Sequence, residues 1–550
     1  MSGERSGIRR GRRGDYQTRG IGGTHGTDGI DGMHGELGMR GWPSIIAVLC
    51  VILFGILVGS HEVSAQGLEE PATELAAEPT IFVRGFRFEG NTLISDHELA
   101  GLLEPMTGKA LTLIDLHTAT LAIKLHYQTL GYFLVEAIVP PQEIIDGVVE
   151  IRIVEGRYGQ VVLHNESRLR DSVARAFLQP MVPGEVVTAG PYERATLLLS
   201  EIPGVETEAF FSPGSEVGTA DLHVMMQDGA YSTGEVAFGF SAENPAQDAS
   251  VMWSVHVNNP AGLADELGVS FGVAGGSRNL GVSYTLPTGS GLSVGLEYKA
   301  SRQEVGGVFA PLDIETWAHN VTVSLGYALQ RSPAADRTLD LSFEHISSGR
   351  DILGIMTKDA RHRLSAGVSG RNSVGQDRRI QYAVQGTLGM SLPGSGFRLA
   401  YSKLNGTYSD MRQLAPGTQV NGSVDAQLAL SELDASERLE LGGPGGVRAY
   451  AAGIPGDSGI VGRLQASQVL GWVPLPGIVQ ASGYLEGGGV WLRNPDPGGA
   501  AFQQRYGFGV GVIWAFPRGG ALQLDRAWPI ALSGDHDVAG KLWIRLVLRY

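Results

Sequence analysis

Cysteine is almost missing from this sequence: Cys50 is the only one among 550 residues. It lies in the single helix-like apolar run, residues 45–58, which follows Arg40 and precedes Val63-Ser64-Ala65. That run is too short for a comfortable transmembrane helix. Small residues at the third and first positions before Gln66 form a signal-peptidase site. Residues 1–65 are therefore expected to be a signal peptide with a long Gly/Arg-rich extension (Arg9, Arg10, Arg12, Arg13), and Met33 or Met39 would give a more conventional start. Cleavage after Ala65 leaves a mature chain without thiols, which removes disulfide, thiolate-metal and cysteine-nucleophile chemistry together.

Other absences narrow the function. Lys and Arg total 42 against 57 Asp and Glu, a formal charge of −15, which argues against nucleic acid as the main partner. A mean hydropathy of +0.01 is too polar for a polytopic helical membrane protein. It leaves room for a β-barrel, whose strands turn only every second residue toward lipid. Catalytic motifs are lacking. Gly108-Lys109 has neither the upstream Gly nor the following Ser/Thr of a phosphate loop. The 13 His residues show no HExxH or paired metal spacing, and Ser215 has no nucleophile-elbow context. Gly507-Phe-Gly-Val-Gly511 places glycine on alternate residues of a strand, unlike a dinucleotide turn. The expectation is no enzyme, no catalytic residue, no metal and no cofactor.

What is present is β-alternation. In the last ten residues, Leu542, Ile544, Leu546, Leu548 and Tyr550 form one alternate set, and Lys541, Arg545 and Arg549 fall in the other. Period two puts the sets on opposite strand faces, as in a strand with lipid on one side and water on the other. An ordinary sandwich strand would look similar. The pattern recurs from Gly229 onward: Leu280, Val282, Tyr284 and Leu286, then Leu292, Val294, Leu296 and Tyr298, then Val321, Val323, Leu325, Tyr327 and Leu329. It appears again at Leu339, Leu341 and Phe343 and at Phe508, Val510, Val512, Trp514 and Phe516. About 320 residues at roughly 20 per strand and connection predict about 16 strands, and so many aromatic-tipped apolar faces favour a barrel over a sandwich.

Residues 80–228 read as small α/β modules. A strand over 81–88 and a turn at Glu89-Gly-Asn-Thr92 precede a helix opened by the capping box Ser95-Asp-His-Glu98. A second helix over 112–130 carries the stripe Leu113, Leu116, Thr120, Ile123, Tyr127 and Leu130. Strands over 133–139 and 148–154 follow. The order strand, helix, helix, strand, strand repeats from Gly159, with Pro191 expected at the first position of a helix.

Several motifs resemble a known family. Phe88-Glu-Gly-Asn-Thr92, Gly131-Tyr-Phe133, Val139-Pro-Pro-Gln142, Asp146-Gly147 and Glu155-Gly-Arg157 look like a first POTRA domain of two-partner secretion transporters, the haemolysin activator/secretion proteins. Leu198-Leu-Leu-Ser-Glu-Ile-Pro-Gly-Val205 and Gly218-Thr-Ala-Asp-Leu222 resemble the second. The resemblance implies a linker at 66–79, POTRA 1 at 80–157, POTRA 2 at 158–229, and a transmembrane antiparallel β-barrel at 230–550. It implies a Gram-negative outer membrane with the POTRA domains in the periplasm, where ATP is unavailable. It also implies a loop, here about 431–459, that folds into the lumen and carries Val-Arg-Gly-Tyr/Phe at its tip. This chain reads Val447-Arg448-Ala449-Tyr450, and Ala449 puts a positive φ there in doubt. In the family the tip arginine meets a carboxylate of a Phe-x-Asp type motif. Tyr484-Leu485-Glu486 is the counterpart, for which a bidentate guanidinium–carboxylate pair is expected.

The function so implied is export of an unfolded, β-helical exoprotein captured by the POTRA domains through β-augmentation. Tyr127, Phe133 and Phe210 are candidate client contacts, although core packing is the role favoured for them. Lipid and the barrel-assembly machinery are the other expected partners, the latter reading Leu546, Leu548 and Tyr550 as an assembly signal. An insertase of the same superfamily and a passive porin-like barrel are the competing readings; two POTRA modules and the tip motif favour the transporter. Proline-interrupted residues 66–79 are too few for a pore-length plug helix plus a linker, so the loop is expected to be the main occlusion.

Overall fold

The computed structural model describes residues 79–241, 249–305, 311–391, 398–443, 445–450, 453–495, 497–530 and 540–550. The expected signal peptide, its cleavage after Ala65, Cys50 and the stretch 66–78 lie outside the described residues.

The first α/β module pairs strand β2 (Gly85–Glu89) in parallel with β5 (Val148–Glu155), and β5 antiparallel with β4 (Val135–Ile138). The expected single strand over 81–88 is broken at Arg84. Its first part, β1 (Ile81–Val83), leaves to pair with β3 (Lys109–Leu111), a strand the sequence reading missed. Two helices, Asp96–Leu103 and Leu113–Thr129, cover the sheet. Ser95 caps the first, and Thr112 with Asp115 forms a reciprocal capping box on the second. Leu116, Thr120, Ile123 and Tyr127 of the expected stripe are buried, while Leu113 and Leu130 at its ends are exposed.

Glu155 organises this module. Its buried carboxylate accepts the main-chain N–H groups of Thr92 and Leu93 (2.8 and 2.9 Å), the Thr92 hydroxyl, and the Tyr127 hydroxyl at 3.0 Å. The turn it holds passes Gly90 at φ +88°, where a Cβ would fall 2.2 Å from the Ile153 carbonyl oxygen. These contacts explain why Phe88-Glu-Gly-Asn-Thr92 and Glu155-Gly-Arg157 occur together. Burial, then the hydrogen bond to Glu155, pushes the Tyr127 phenol above its ordinary pKa, so it stays a neutral donor. Glu155→Ala orphans several donors and is expected to destabilise the module by about 3 kcal/mol, read as earlier proteolysis of residues 79–157 in the intact protein.

The second module repeats the topology. Strand β6 (Arg157–Asn165) runs parallel to β8 (Thr219–Asp228), which is antiparallel to β7 (Val205–Pro213). The helices are Asp171–Leu178 and Ala189–Ser200; Pro191 is the third residue of the latter, not the first. Its core includes Ala264 from a barrel connection and Ala328 from a barrel strand. Arg331 pairs with Glu201 at 2.9 Å, and Arg194 donates to the Ser290 carbonyl at 3.1 Å. The second module thus sits against one rim of the barrel.

The barrel closes through sixteen antiparallel strands. They are β9 (Ser232–Ser241), β10 (Ser250–Asn258), β11 (Glu266–Ala274), β12 (Ser277–Pro287), β13 (Leu292–Val305), β14 (Ile314–Arg331), β15 (Ala335–Ile352) and β16 (Ile355–Val374). After these come β17 (Arg378–Ser391), β18 (Arg398–Ala415) and β19 (Thr418–Ala429). The short hairpin β20 (Leu439–Glu440) with β21 (Pro455–Gly456) lies outside the barrel wall. The last wall strands are β22 (Ser458–Val469), β23 (Ile478–Trp491), β24 (Phe502–Ala515), β25 (Ala521–Pro529) and β26 (Lys541–Arg549). Val321, Val323, Leu325, Tyr327 and Leu329 of β14 are all exposed on the outer face. An apolar belt of this kind is stable only against lipid.

The ring closes where β26 pairs with β9. Tyr550 exchanges main-chain hydrogen bonds with Gly234 (3.0 and 3.1 Å). Its ring crosses Gly234, where a Cβ would lie 2.1 Å from Cζ, and its hydroxyl accepts the Trp253 indole N–H at 2.9 Å. One side chain therefore spans β26, β9 and β10. The Trp543 indole points the other way, into the lumen, which places Lys541, Arg545 and Arg549 on the lumen side by alternation.

Candidate functional site: a loop clasped inside the barrel

The connection between β19 and β22 does not stay outside the barrel. Strands β19 and β22 pair directly across it, so the intervening chain must leave the wall, and it packs within. Val447, Ala449 and Tyr450 at its tip are essentially inaccessible and form an apolar cluster with Leu441, Val461, Tyr484, Val490 and Ala527. Tight main-chain contacts shape the tip: Gly443 N to Tyr450 O at 2.7 Å, and Tyr450 N to Val447 O at 3.1 Å. Ala449 is not among the residues with positive φ, so alanine replaces the family's glycine here without backbone strain.

Arg448 is held from several sides. Glu486 on β23 accepts its Nε at 2.7 Å and, with the other carboxylate oxygen, its main-chain N–H at 2.8 Å. This differs from the bidentate guanidinium pair expected from the sequence: the longer glutamate grips side chain and backbone of the same residue. Nη1 lies 3.5 Å from Asp525 on β25, and the guanidinium carbon sits 3.5 Å above the Tyr484 ring. The Arg448 carbonyl accepts the Trp543 indole N–H at 2.8 Å. Four residues of β23, β25 and β26 thus converge on Arg448. A second wall arginine, Arg463 on β22, donates to the same Glu486 oxygen at 2.6 Å. Tyr450 lies beneath a wall cation in turn, with the Arg505 guanidinium carbon 4.3 Å above its ring.

The alternating glycines of β24 make room for this clasp. A Cβ at Gly507 would meet Ala449 Cβ at 2.7 Å, one at Gly509 would meet the Tyr484 ring at 2.4 Å, and one at Gly511 would meet Asp525 Oδ1 at 2.2 Å. The alternation that reads in sequence as strand grammar is a smooth lumen face on which Tyr484 and Asp525 lie down.

The structure therefore brings Val447, Arg448, Tyr450 and Glu486 together. Sequence reading missed Arg463, Asp525, Trp543 and Arg505, which sit on four different strands with no shared local motif. Leu546 and Leu548 lie with Tyr550 on the outer face of β26 by alternation. Of the three candidate client contacts, Tyr127 is wholly buried and bound to Glu155, so it is a core residue and offers no surface. Phe133 packs between the modules against Tyr192 and Phe211. Phe210 is 47% exposed, on the outer sheet face beside His223.

Comparison with known proteins agrees with this architecture. The model of the POTRA domain, ShlB-type, matches residues 81–156. The heme/hemopexin transporter protein HuxB of Haemophilus influenzae is 23% identical over 478 residues, 83% of this chain and 85% of that protein. The outer membrane transporter CdiB of Escherichia coli is 23% identical over 479 residues, 82% of this chain and 78% of its own. The solved structure of CdiB from Escherichia coli superposes with a TM-score of 0.70 at 20% identity, covering 88% of this chain and 93% of that one, a likeness of fold. The model of the haemolysin secretion/activation protein ShlB/FhaC/HecB matches residues 218–512, and the chain belongs to that family: it is an outer-membrane transporter of two-partner secretion, with periplasmic POTRA domains and a secreted exoprotein as its partner.

Proposed function

We propose that the loop tip is the gate of this transporter, closed by Arg448 on Glu486 and opened when an unfolded, β-helical exoprotein enters the barrel from the POTRA modules. The observation that carries this reading is the shared carboxylate. Glu486 is bound by Arg448 from the loop and by Arg463 from the wall, so the tip can leave with the Glu486 carboxylate still neutralised. A buried ion pair broken on one side is otherwise costly. The reading needs no catalytic residue and no cofactor. Client capture falls to the exposed sheet face around Phe210, with main-chain pairing along a strand edge for affinity. The wall itself sits in outer-membrane lipid and is inserted by the barrel-assembly machinery through its Tyr550 end.

A photo-crosslinking amino acid at position 210 tests the capture step. It is expected to trap the exoprotein encoded with this chain during export, whereas the same probe at the buried position 127 does not. Equal trapping at both positions, or none at 210, removes Phe210 from the client path.

A further inference from the structure

The loop is held at a second place. Glu437 at its base is buried and pairs with Lys403 on β18 and Arg363 on β16, each at 2.9 Å. The Lys403 ammonium and the Gln427 amide also donate to the Glu437 carbonyl, at 2.9 and 3.0 Å. Asp457, fully buried, ties the two legs together: it accepts the Leu433 N–H at 2.9 Å from the entering leg, the Arg438 guanidinium at 3.3 Å, and the Arg493 N–H at 2.8 Å beyond β23. Nearer the lumen space, Arg361 pairs with Asp434 at 2.6 Å.

The two attachments are not equivalent. At the tip, Glu486, the nearest ionic partner of Arg448 at 2.7 Å, keeps Arg463 when Arg448 leaves, and Asp525, a looser partner at 3.5 Å, keeps the Gln523 amide. At the base, removing Glu437 would leave Lys403, whose side chain is 12% exposed, facing only the neutral Gln427 oxygen at 3.3 Å. Moving Asp457 would strip a buried carboxylate of its donors. Leaving a charge buried and unpaired costs far more than releasing one whose partner stays neutralised. From this asymmetry we infer that the loop is released at its tip and retained at its base: Glu437 and Asp457 are positioning residues that make the loop a hinged flap, which swings and does not unfold out of the barrel.

This rests on the proposed gate at Arg448, and the test separates the two. In a Cys50→Ser background, Asp434→Cys and Arg361→Cys are joined by a bis-methanethiosulfonate reagent, which forms a disulfide with each thiol as methanesulfinate leaves and is cleaved by reductant, with and without Arg448→Ala, and conductance is read in planar lipid bilayers. Arg448→Ala is expected to raise conductance several-fold, and the base tether leaves that raised conductance in place. A return to the unmutated level on crosslinking, reversed by cleavage, overturns the hinge while leaving the gate standing. No rise with Arg448→Ala alone overturns the gate and the hinge with it. Failure of the two thiols to link overturns the hinge as well, because the base would not be where it must be. Heat-modified gel mobility verifies a folded barrel in every variant, and Asp434→Cys and Arg361→Cys taken singly detect any effect of the thiols alone.

Discussion

Arg448→Ala is expected to open the resting pore and to cut export of the exoprotein at least tenfold, with the barrel still assembled. The substitution removes the Nε hydrogen bond to Glu486, the ion pair to Asp525 and the stacking on Tyr484. Charge-assisted contacts contribute about 1.5–3 kcal/mol each in net terms, and a cation–π contact roughly 1 kcal/mol. Two main-chain contacts survive, from Glu486 to the 448 N–H and from Trp543 to the 448 carbonyl. They predict that Arg448→Ala/Trp543→Phe opens the pore further than either change alone, since neighbouring contacts on one residue do not add independently. Barrel assembly is read by heat-modified mobility, gating by bilayer conductance and export by the amount of client outside the cell. Normal export together with an unchanged conductance would sink the role of Arg448.

The second large effect is expected from a residue with no side chain. Gly507→Ala places a methyl 2.7 Å from Ala449 Cβ and 3.2 Å from both Val447 Cγ1 and the Trp528 carbonyl oxygen. Overpacking of this kind costs about 1–3 kcal/mol, and the loop tip yields more easily than a hydrogen-bonded strand. The variant should therefore leak in bilayers much as Arg448→Ala does. Ala449→Gly removes the opposing methyl, and the double variant Gly507→Ala/Ala449→Gly should recover most of the closed state. Absence of that recovery would show that the methyl–methyl contact is not what seats the tip. The pair also explains how this chain accommodates alanine at 449: the wall opposite has no Cβ at 507 to meet it.

The parts of this molecule written in local periodicity could be read directly from the sequence. Alternation from Gly229 onward revealed the barrel and its approximate strand number, because lipid and water on opposite faces impose a period of two. The tip motif and Tyr484-Leu485-Glu486 revealed the central contact, because both carry a family pattern. What stayed hidden depends on register between distant strands. Nothing near Arg463, Asp525, Trp543 or Arg505 signals that alternation and closure place all four around one loop. Lys109–Leu111 is too short for a periodic signal, and the break at Arg84 becomes visible only when β1 is seen pairing with β3. Tyr127 shows the opposite limit: an aromatic on a helix stripe suits a core, the favoured role, or a groove, and the contact with Glu155 decides for the core.

Tyr550 has a further consequence. Because its ring reaches across β9 to Trp253, the seam between β26 and β9 receives its outer staple only when both strands are paired in register. A chain without Tyr550 reaches the membrane with β26 and β9 unstapled at that end, and its barrel is marked as unfinished by the very contact it lacks.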